Sequence, residues 1–308
     1  MESQGSVVYF IISHKLPTQV LRLIAKLRRE RPSCFVLVHH DQSQSHLASA
    51  ALADDSRIHL LHPHIQSTWG GFSMIEIVQA GLAFLNSCQL DYSWVILLSG
   101  QDYPVRPLSQ FEDFLTTIGD GAITMETTNE SILDRYTYMW FRLPRLLERP
   151  AMHRLYSKLS RLNDRQRFLR FESGRVGCVV GIKPFRTPLP KGWQFYKGST
   201  WWMLSKAATT EISDALTARR YRSLLNWFRR RTILPDEAFI QTILFNNPKF
   251  CFSSDTQRYI HWSRPGAASP EVLTMSDLPS IHESGKFFAR KFDESIDAAI
   301  LDGIDALT

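Results

Sequence analysis

The segment Leu234 to Pro248, LPDEAFIQTILFNNP, places two adjacent carboxylates, Asp236 and Glu237, where a helix should begin. Pro235 suits a first helical position, and acidic side chains suit a first turn because its free N–H groups and the helix macrodipole stabilise negative charge. Ala238, Phe239, Ile243 and Leu244 recur at helical spacing, so the helix can bury one face while its start opens into a site. A carboxylate held there is a candidate general base; the alternative is an acidic turn that only complements the dipole. Near the other end of the chain, FFARKF (Phe287 to Phe292) sets Arg290 and Lys291 between aromatic residues. A guanidinium grips phosphate oxygens in bidentate fashion and an ammonium adds a compact charge, so the pair suits a diphosphate leaving group, or else guards an edge strand. In an extended strand adjacent side chains face opposite ways, so only one of the two aims straight into a site unless the strand bends.

The elements that would carry these groups follow from the apolar pattern. Short apolar runs alternate with helical periodicity through the first half of the chain. VVYFII (Val7 to Ile12) predicts a buried strand, PTQVLRLIAKLRRE a helix opened by Pro17, CFVLVHHD (Cys34 to Asp41) a second strand and RIHLL (Arg57 to Leu61) a third. A helix from Phe72 to about Asn86 leads to the strand WVILLSGQDYP (Trp94 to Pro104), and GAITME (Gly121 to Glu126) closes the series. Such alternation predicts an α/β fold with a Rossmann-like, mainly parallel central sheet flanked by helices. Ligands of open α/β sheets gather at the carboxyl ends of the strands. The residues there are His14, Asp41, Trp69 with Gly70, and Ser99 to Asp102. Singly each reads as a cap, an Asx turn or core; together they outline a shared rim for a nucleotide.

The middle of the chain, Ser131 to Pro190, is basic and less periodic, with helix signals around Arg154 to Arg170 and a turn-rich stretch KPFRTPLPKGW. It reads as an insertion that shapes an acceptor groove. Beyond it come KGSTWWMLS (Lys197 to Ser205) as a strand, a helix from Lys206 to Ala218, RYIHW (Arg258 to Trp262), a short helix near Ser276 to Glu283, the FFARKF strand and a terminal amphipathic helix.

With 308 residues, 44% of them hydrophobic, the chain is long enough for one large core or two modest ones. A net charge of +6 and a pI near 9.2 favour anionic ligands without choosing among them. Much of the excess falls at Arg135, Arg142, Arg145, Arg149, Arg154, Lys158, Arg161, Arg165, Arg167, Arg170 and Arg229 to Arg231. No nucleic-acid reader module is recognisable, so nucleic acid is not an expected partner. Cys34, Cys88, Cys178 and Cys251 are scattered, which predicts reduced, mostly buried thiols. The run VVYFIIS is too short for a signal peptide core or a membrane span. The expectation is a soluble cytoplasmic protein, with peripheral attachment to anionic lipid open through Arg-rich helices near Leu225, Trp227 and Phe228. Phosphate-cradling glycine loops and the common hydrolase motifs are absent. Where a D-x-D pair would mark a bound cation the chain reads SGQDYP, with one carboxylate, Asp102, so cationic side chains would do a metal's electrostatic work.

Taken in order, ISHK, VHHD, STWGGFS, WVILLSGQDYPVRP, GSTWWMLS, LPDEAF and FFARKF resemble glycosyltransferase family 14, the core-2/I-branching N-acetylglucosaminyltransferases and peptide O-xylosyltransferases. The resemblance runs from about Tyr9 to Phe292. It implies a GT-A-type fold, a UDP-sugar donor, inversion at the anomeric carbon, no required metal or other cofactor, and an acceptor that is a glycan, a lipid-linked sugar or a protein. It implies Glu237 as catalytic base, Asp41 as the carboxylate holding uridine, Ser67, Thr68 and Trp69 in the donor site, and Arg290 and Lys291 on the diphosphate. Ser13, His14, Gly100 and Asp102 join the donor rim, while Asp236 and Trp202 would support the loop or the acceptor. Thr200 and Trp201 fall where the xylosyltransferases have Asp-Trp near the donor sugar; Thr200 departs from that pattern, so the expected group is N-acetylglucosamine or a related sugar such as xylose, with another UDP-hexose as the alternative donor. The expected layout is one catalytic domain over 1–308: a nucleotide-sugar half at 1–130, the basic insertion at 131–195 and a half with the base and diphosphate groups at 196–308. The animal members are secretory and anchored; a chain without anchor or paired cysteines is expected to be a bacterial enzyme of surface-glycan synthesis. A catalytically idle nucleotide- or glycan-binding protein is the alternative from another class.

Overall fold

A computed structural model describes residues 5–126, 130–144, 148–264 and 269–308. In chain order the strands and helices are β1 (Ser6–Ser13), α1 (Pro17–Glu30), β2 (Phe35–His40), β3 (Ile58–Leu60), α2 (Ser73–Ser87), β4 (Tyr92–Ser99), β5 (Asp102–Pro104), α3 (Leu108–Leu115) and β6 (Gly121–Ala122). There follow α4 (Glu130–Thr137), β7 (Met139–Arg142), α5 (Pro150–Ser160), β8 (Leu169–Gly174), β9 (Gly177–Ile182), β10 (Met203–Ser205), α6 (Lys206–Thr217) and α7 (Arg222–Arg231). The chain ends with α8 (Phe239–Phe245), β11 (Phe252–Ser253), β12 (Arg258–Ile260), α9 (Leu278–Glu283), β13 (Phe288–Arg290) and α10 (Ala299–Leu307).

The central sheet has seven strands in the order β11-β6-β10-β4-β1-β2-β3. It is mainly parallel: β1 pairs β2 and β4, and β2 pairs β3, all parallel, while β10 runs antiparallel to β4 and β6. Both faces are covered. Val8, Phe10 and Ile12 of β1 join one core cluster, under α2, α6 and α8, while Val7, Tyr9 and Ile11 join the other, under α1, α3 and α10. Because successive side chains alternate faces, a strand covered on both sides must be apolar throughout, which is why VVYFII lacks polar interruptions.

Two three-stranded sheets flank this layer, β12-β13-β5 and β7-β9-β8. The single strand expected from Trp94 to Pro104 is therefore two: β4 ends at Ser99, the chain turns at Gly100 and Gln101, and β5 joins the smaller sheet. The insertion differs from expectation as well, since the helix ends at Ser160 and β8 and β9 form a hairpin closed at Gly174 and Gly177. KGSTWWMLS pairs as a strand only from Met203, and GAITME only at Gly121 and Ala122. Arg145 lies outside the described residues. Two cysteines, Cys34 and Cys178, are buried and two, Cys88 and Cys251, exposed, so the thiols divide evenly rather than being mostly buried. Among the described residues no helix is long and apolar enough to cross a membrane.

Trp227 and Phe228 correct a further expectation. They are 9% and 1% exposed, packed in the core, with Trp227 Nε1 donating to the Tyr136 carbonyl at 2.9 Å. These rings anchor α7 to the body of the protein and offer nothing to a lipid surface.

Gly81, within α2, shows how closely helix meets sheet: a Cβ there would stand 2.4 Å from Cε1 of Phe10. In an open helix, replacing glycine with alanine stabilises by up to about 1 kcal/mol. Here the methyl must displace a core ring, so Gly81→Ala is expected to destabilise the protein by about 1–3 kcal/mol. Urea denaturation checks the sign, and an unchanged or higher midpoint contradicts this packing.

Candidate active site

The site lies at the carboxyl ends of β1, β2 and β4. One rim of it is built on Asp41, which follows β2 and is itself fully buried. One oxygen accepts from the Ser43 amide at 3.1 Å and its hydroxyl at 2.6 Å; the other accepts from Gln44 Nε2 at 3.1 Å and from the Ser67 amide and hydroxyl, both at 2.8 Å. Burial raises the carboxyl, but hydrogen bonds from Ser43 and Ser67 outweigh it and hold the group well below the usual range. Asp41 thus pins the loop that begins at Ser67, and both of its oxygens are occupied within the chain. His39, pushed down to about 4 mainly by burial, is neutral; its Nε2 accepts from the Ile65 amide at 2.9 Å and draws in the same loop. Ser13 Oγ meets His40 Nδ1 at 2.8 Å, the Gly100 amide donates to Ile12 O at 3.0 Å, and His14 is exposed at the end of β1.

From Ser67 the loop runs to the half-exposed indole of Trp69, with the Arg175 guanidinium 5.7 Å from its ring. Thr68 N–H donates to Ser73 Oγ at 2.8 Å, which fixes the loop on the start of α2. Gly70 has φ +66°, and a Cβ there would lie 2.9 Å from Val176. Its carbonyl accepts from the Leu234 amide at 3.3 Å and from Arg142 at 2.9 Å, so the STWGG loop is tied directly to the start of LPDEAF.

The acidic segment is not the first turn of a continuous helix. Pro235 to Glu237 form one 3-10 turn, Ala238 breaks the geometry at φ −141° and ψ −27°, and α8 begins only at Phe239. The carboxylates consequently owe their placement to side-chain and backbone contacts. Thr200 Oγ1 donates to Asp236 at 2.8 Å, and the Gly198 amide donates to the Glu237 carbonyl at 2.8 Å. Glu237 Oε2 lies 3.6 Å from Lys197 Nζ and 4.0 Å from Arg135, with 29% of its side chain exposed. Burial raises the Glu237 carboxyl above its ordinary value; Lys197 opposes this and Asp236 adds to it. Asp236 is raised by burial, against the Thr200 hydrogen bond.

The third component is cationic. Asp102, in β5, has a fully buried side chain and faces two buried guanidiniums: Arg258 Nε at 3.4 Å and Arg290 Nε at 3.1 Å, the latter an ion pair whose atoms are not aligned as a hydrogen bond. Two positive charges therefore share one carboxylate. Burial pulls both guanidiniums below their ordinary values while Asp102 opposes it. The Arg290 guanidinium also lies 4.6 Å from the Trp201 ring. Lys291 makes no ion pair among the described residues, and burial together with Lys15 and Arg290 lowers its ammonium. Lys15 is held by Asp293 at 2.6 Å.

Arg290, Trp201, Thr200, Asp236, Glu237 and Lys197 are thus linked through one stretch of chain, Lys197 to Trp201. Trp202 is separate: it is fully buried among core residues, away from the surface an acceptor would reach. Lys15, Arg175, Lys197 and Arg258 were not anticipated as site residues. Lys15 follows His14 in ISHK and Arg258 opens the strand beside FFARKF, so both carried a positional signal; Arg175, at the hairpin tip, carried none.

A raised carboxylate and an excess of buried positive charge thus meet at the strand ends of an α/β sheet. The chain belongs to the core-2/I-branching enzyme family of glycosyltransferases, whose family model matches residues 7–282. It is 25% identical over 316 residues to the xylosyltransferase oxt of Drosophila melanogaster, covering 92% of this chain and 31% of that protein. It is 22% identical over 328 residues to xylosyltransferase 2 of Rattus norvegicus, covering 97% and 33%. The chain spans about a third of the length of the curated relatives it matches. Among solved structures, apo mouse xyloside xylosyltransferase 1 aligns with a TM-score of 0.41 and 12% identity over 92% of this chain and 96% of that one.

Asp41 binds its proton more weakly in the folded protein than in the unfolded chain. Its stabilising contribution is therefore complete above the unfolded carboxylate value of about 4 and is lost as pH falls toward the folded value. Asp41→Asn is expected to lose about 2–3 kcal/mol at neutral pH and to show a flatter acid limb in melting temperature against pH. Equal acid limbs in the two proteins contradict the assignment.

Proposed function

We propose that the chain transfers a sugar from a UDP-sugar to an acceptor hydroxyl with inversion, without a metal ion. The observation that carries this reading is the segment Lys197 to Trp201, which joins the Glu237 turn at one end to the Arg290 guanidinium at the other. A base and an anion clamp in one site are what a displacement with a diphosphate leaving group requires. A binding module needs only the clamp.

In the proposed reaction Glu237 accepts the proton of the acceptor hydroxyl as its oxygen attacks the anomeric carbon. The bond to the diphosphate oxygen breaks on the opposite face, through an oxocarbenium-like transition state. The charge developing on UDP is met by Arg290, Lys291, Lys15 and Arg175, and its arrival supplies the anion that the two guanidiniums sharing Asp102 lack. Asp41 holds the Ser67–Trp69 loop in place against the nucleotide, and Trp69 presents an exposed indole to it. Asp236 keeps Thr200 fixed beside the donor sugar. N-acetylglucosamine or a related sugar such as xylose is the proposed group transferred.

UDP is expected to raise the melting temperature in the presence of EDTA; no shift under those conditions removes the donor site. Glu237→Gln should retain that shift and lose transfer by about a hundredfold or more, and a variant that turns over normally places the base elsewhere. Because burial raises Glu237, kcat/KM should fall on the acid side with an apparent value above that of an ordinary glutamate. Lys197→Met removes the cation opposing that shift and moves the limb to higher pH, whereas Lys197→Arg leaves it near the wild-type position.

A further inference from the structure

The three-stranded sheet β7-β9-β8 reaches from the active site to a surface of a different character. Its hairpin tip carries Arg175 beside Trp69, and its open end lies six residues of β8 away, roughly 17 Å. At that end Leu169 pairs with Ile182 across the strands, and the Lys183 amide donates to the Phe168 carbonyl at 2.9 Å. Gln166 Oε1 accepts from the Phe168 and Leu169 amides at 2.9 and 2.7 Å, which folds the preceding turn against the same end.

The apolar side chains gathered there face water. Phe185 is 109% exposed and Phe168 76%, with Leu162, Ile182 and Leu169 at 42, 39 and 38%. Single exposed apolar residues are ordinary, but two fully presented phenyl rings with three aliphatic neighbours at one end are not. Between them stand Arg161, Arg165, Arg167, Lys183 and Arg186, all exposed and without an ion pair among the described residues. Residues 154–170 hold six Arg or Lys and one acid, Asp164.

We propose that this open end of the hairpin docks the protein on an anionic lipid surface, with Phe168 and Phe185 entering the headgroup boundary and the surrounding cations meeting lipid phosphates. Aromatic and aliphatic side chains interleaved with arginine and lysine match that boundary in both chemistries at once. A second copy of the chain fits less well, because a two-fold contact would set the same cations against each other. The orientation would hold the hairpin upright, with the transfer site at its far end. The surface is distinct from the helix expected to take this role, whose Trp227 and Phe228 are buried. Docking does not depend on the transferase reading.

Co-sedimentation with vesicles tests it. The protein should bind phosphatidylcholine vesicles containing phosphatidylglycerol, bind pure phosphatidylcholine vesicles far less, and be released by salt. Phe168→Ser with Phe185→Ser should abolish most binding, and Arg165→Gln with Arg167→Gln should weaken it about fivefold per cation. All four side chains are exposed, so melting temperature and its UDP shift should match the wild type, which separates loss of docking from loss of fold. Failure to bind the anionic vesicles, equal binding by the variants, or a wild-type dimer that the Phe variants dissociate each overturns the proposal.

Discussion

Two buried guanidiniums facing one carboxylate is the arrangement on which the rest of this site depends. Asp102 has no exposed side-chain surface, Arg258 has 1% and Arg290 13%, so none of the three charges is relieved by water. Removing Asp102 would leave both guanidiniums buried without a counter-charge, at a cost of about 3–5 kcal/mol. The cluster also joins the sheets: Arg258 donates to the Leu97 carbonyl of β4 at 2.5 Å, while Arg290 pairs with Asp102 across β13 and β5. The small sheet is thereby seated on the end of the large one. The residual positive charge stays at the strand ends, where an anionic ligand can balance it.

Much of the central sheet was legible because burial on both faces forces continuous apolar runs, and β1, α1, β2, β3 and α2 fall within two residues of where periodicity puts them. Elsewhere the sequence pattern was necessary without being sufficient. WVILLSGQDYP is apolar enough for one strand, yet Gly100 is packed against Ser13 and Val20, and the chain turns there into another sheet. The β8-β9 hairpin escaped notice because β8 is half-buried along most of its length and β9, GCVVGI, carries no polar side chain to alternate with its apolar ones, which blurs the period-two signal. In α7 the aromatic residues read equally well as a lipid face or a core face, and only the packed structure decides between them.

The site was legible in its motifs more than in their mechanics. The loop at Ser67, the turn at Glu237 and the basic pair at Arg290 are all visible as motifs; the hydrogen bond between Leu234 and Gly70 brings the first two together, and that between Gly198 and Glu237 ties the turn to the segment that reaches Arg290. What composition could not reveal is division of labour. Asp41 reads as a ligand group, but its oxygens accept five hydrogen bonds from the chain itself. Lys197 reads as the polar start of a strand, but it stands between Glu126 and Glu237 as their shared cation. Contacts of this kind join residues far apart in sequence, and no local spacing announces them.

Thr200 illustrates how such a contact constrains chemistry. The family resemblance puts aspartate at this position in the xylosyltransferases, whereas here a hydroxyl donates to Asp236 at 2.8 Å. An aspartate in place of Thr200, without a new cation, would oppose two carboxylates at a half-buried position, and like charges at that separation cannot both stay ionised easily. Asp236 is already raised by burial, with Thr200 as the group that counters it. Thr200 is therefore coupled to the acidic turn, and any change at this residue acts also on Asp236 and, through the electrostatic influence of Asp236, on Glu237. Thr200, Asp236 and Glu237 are parts of one electrostatic balance.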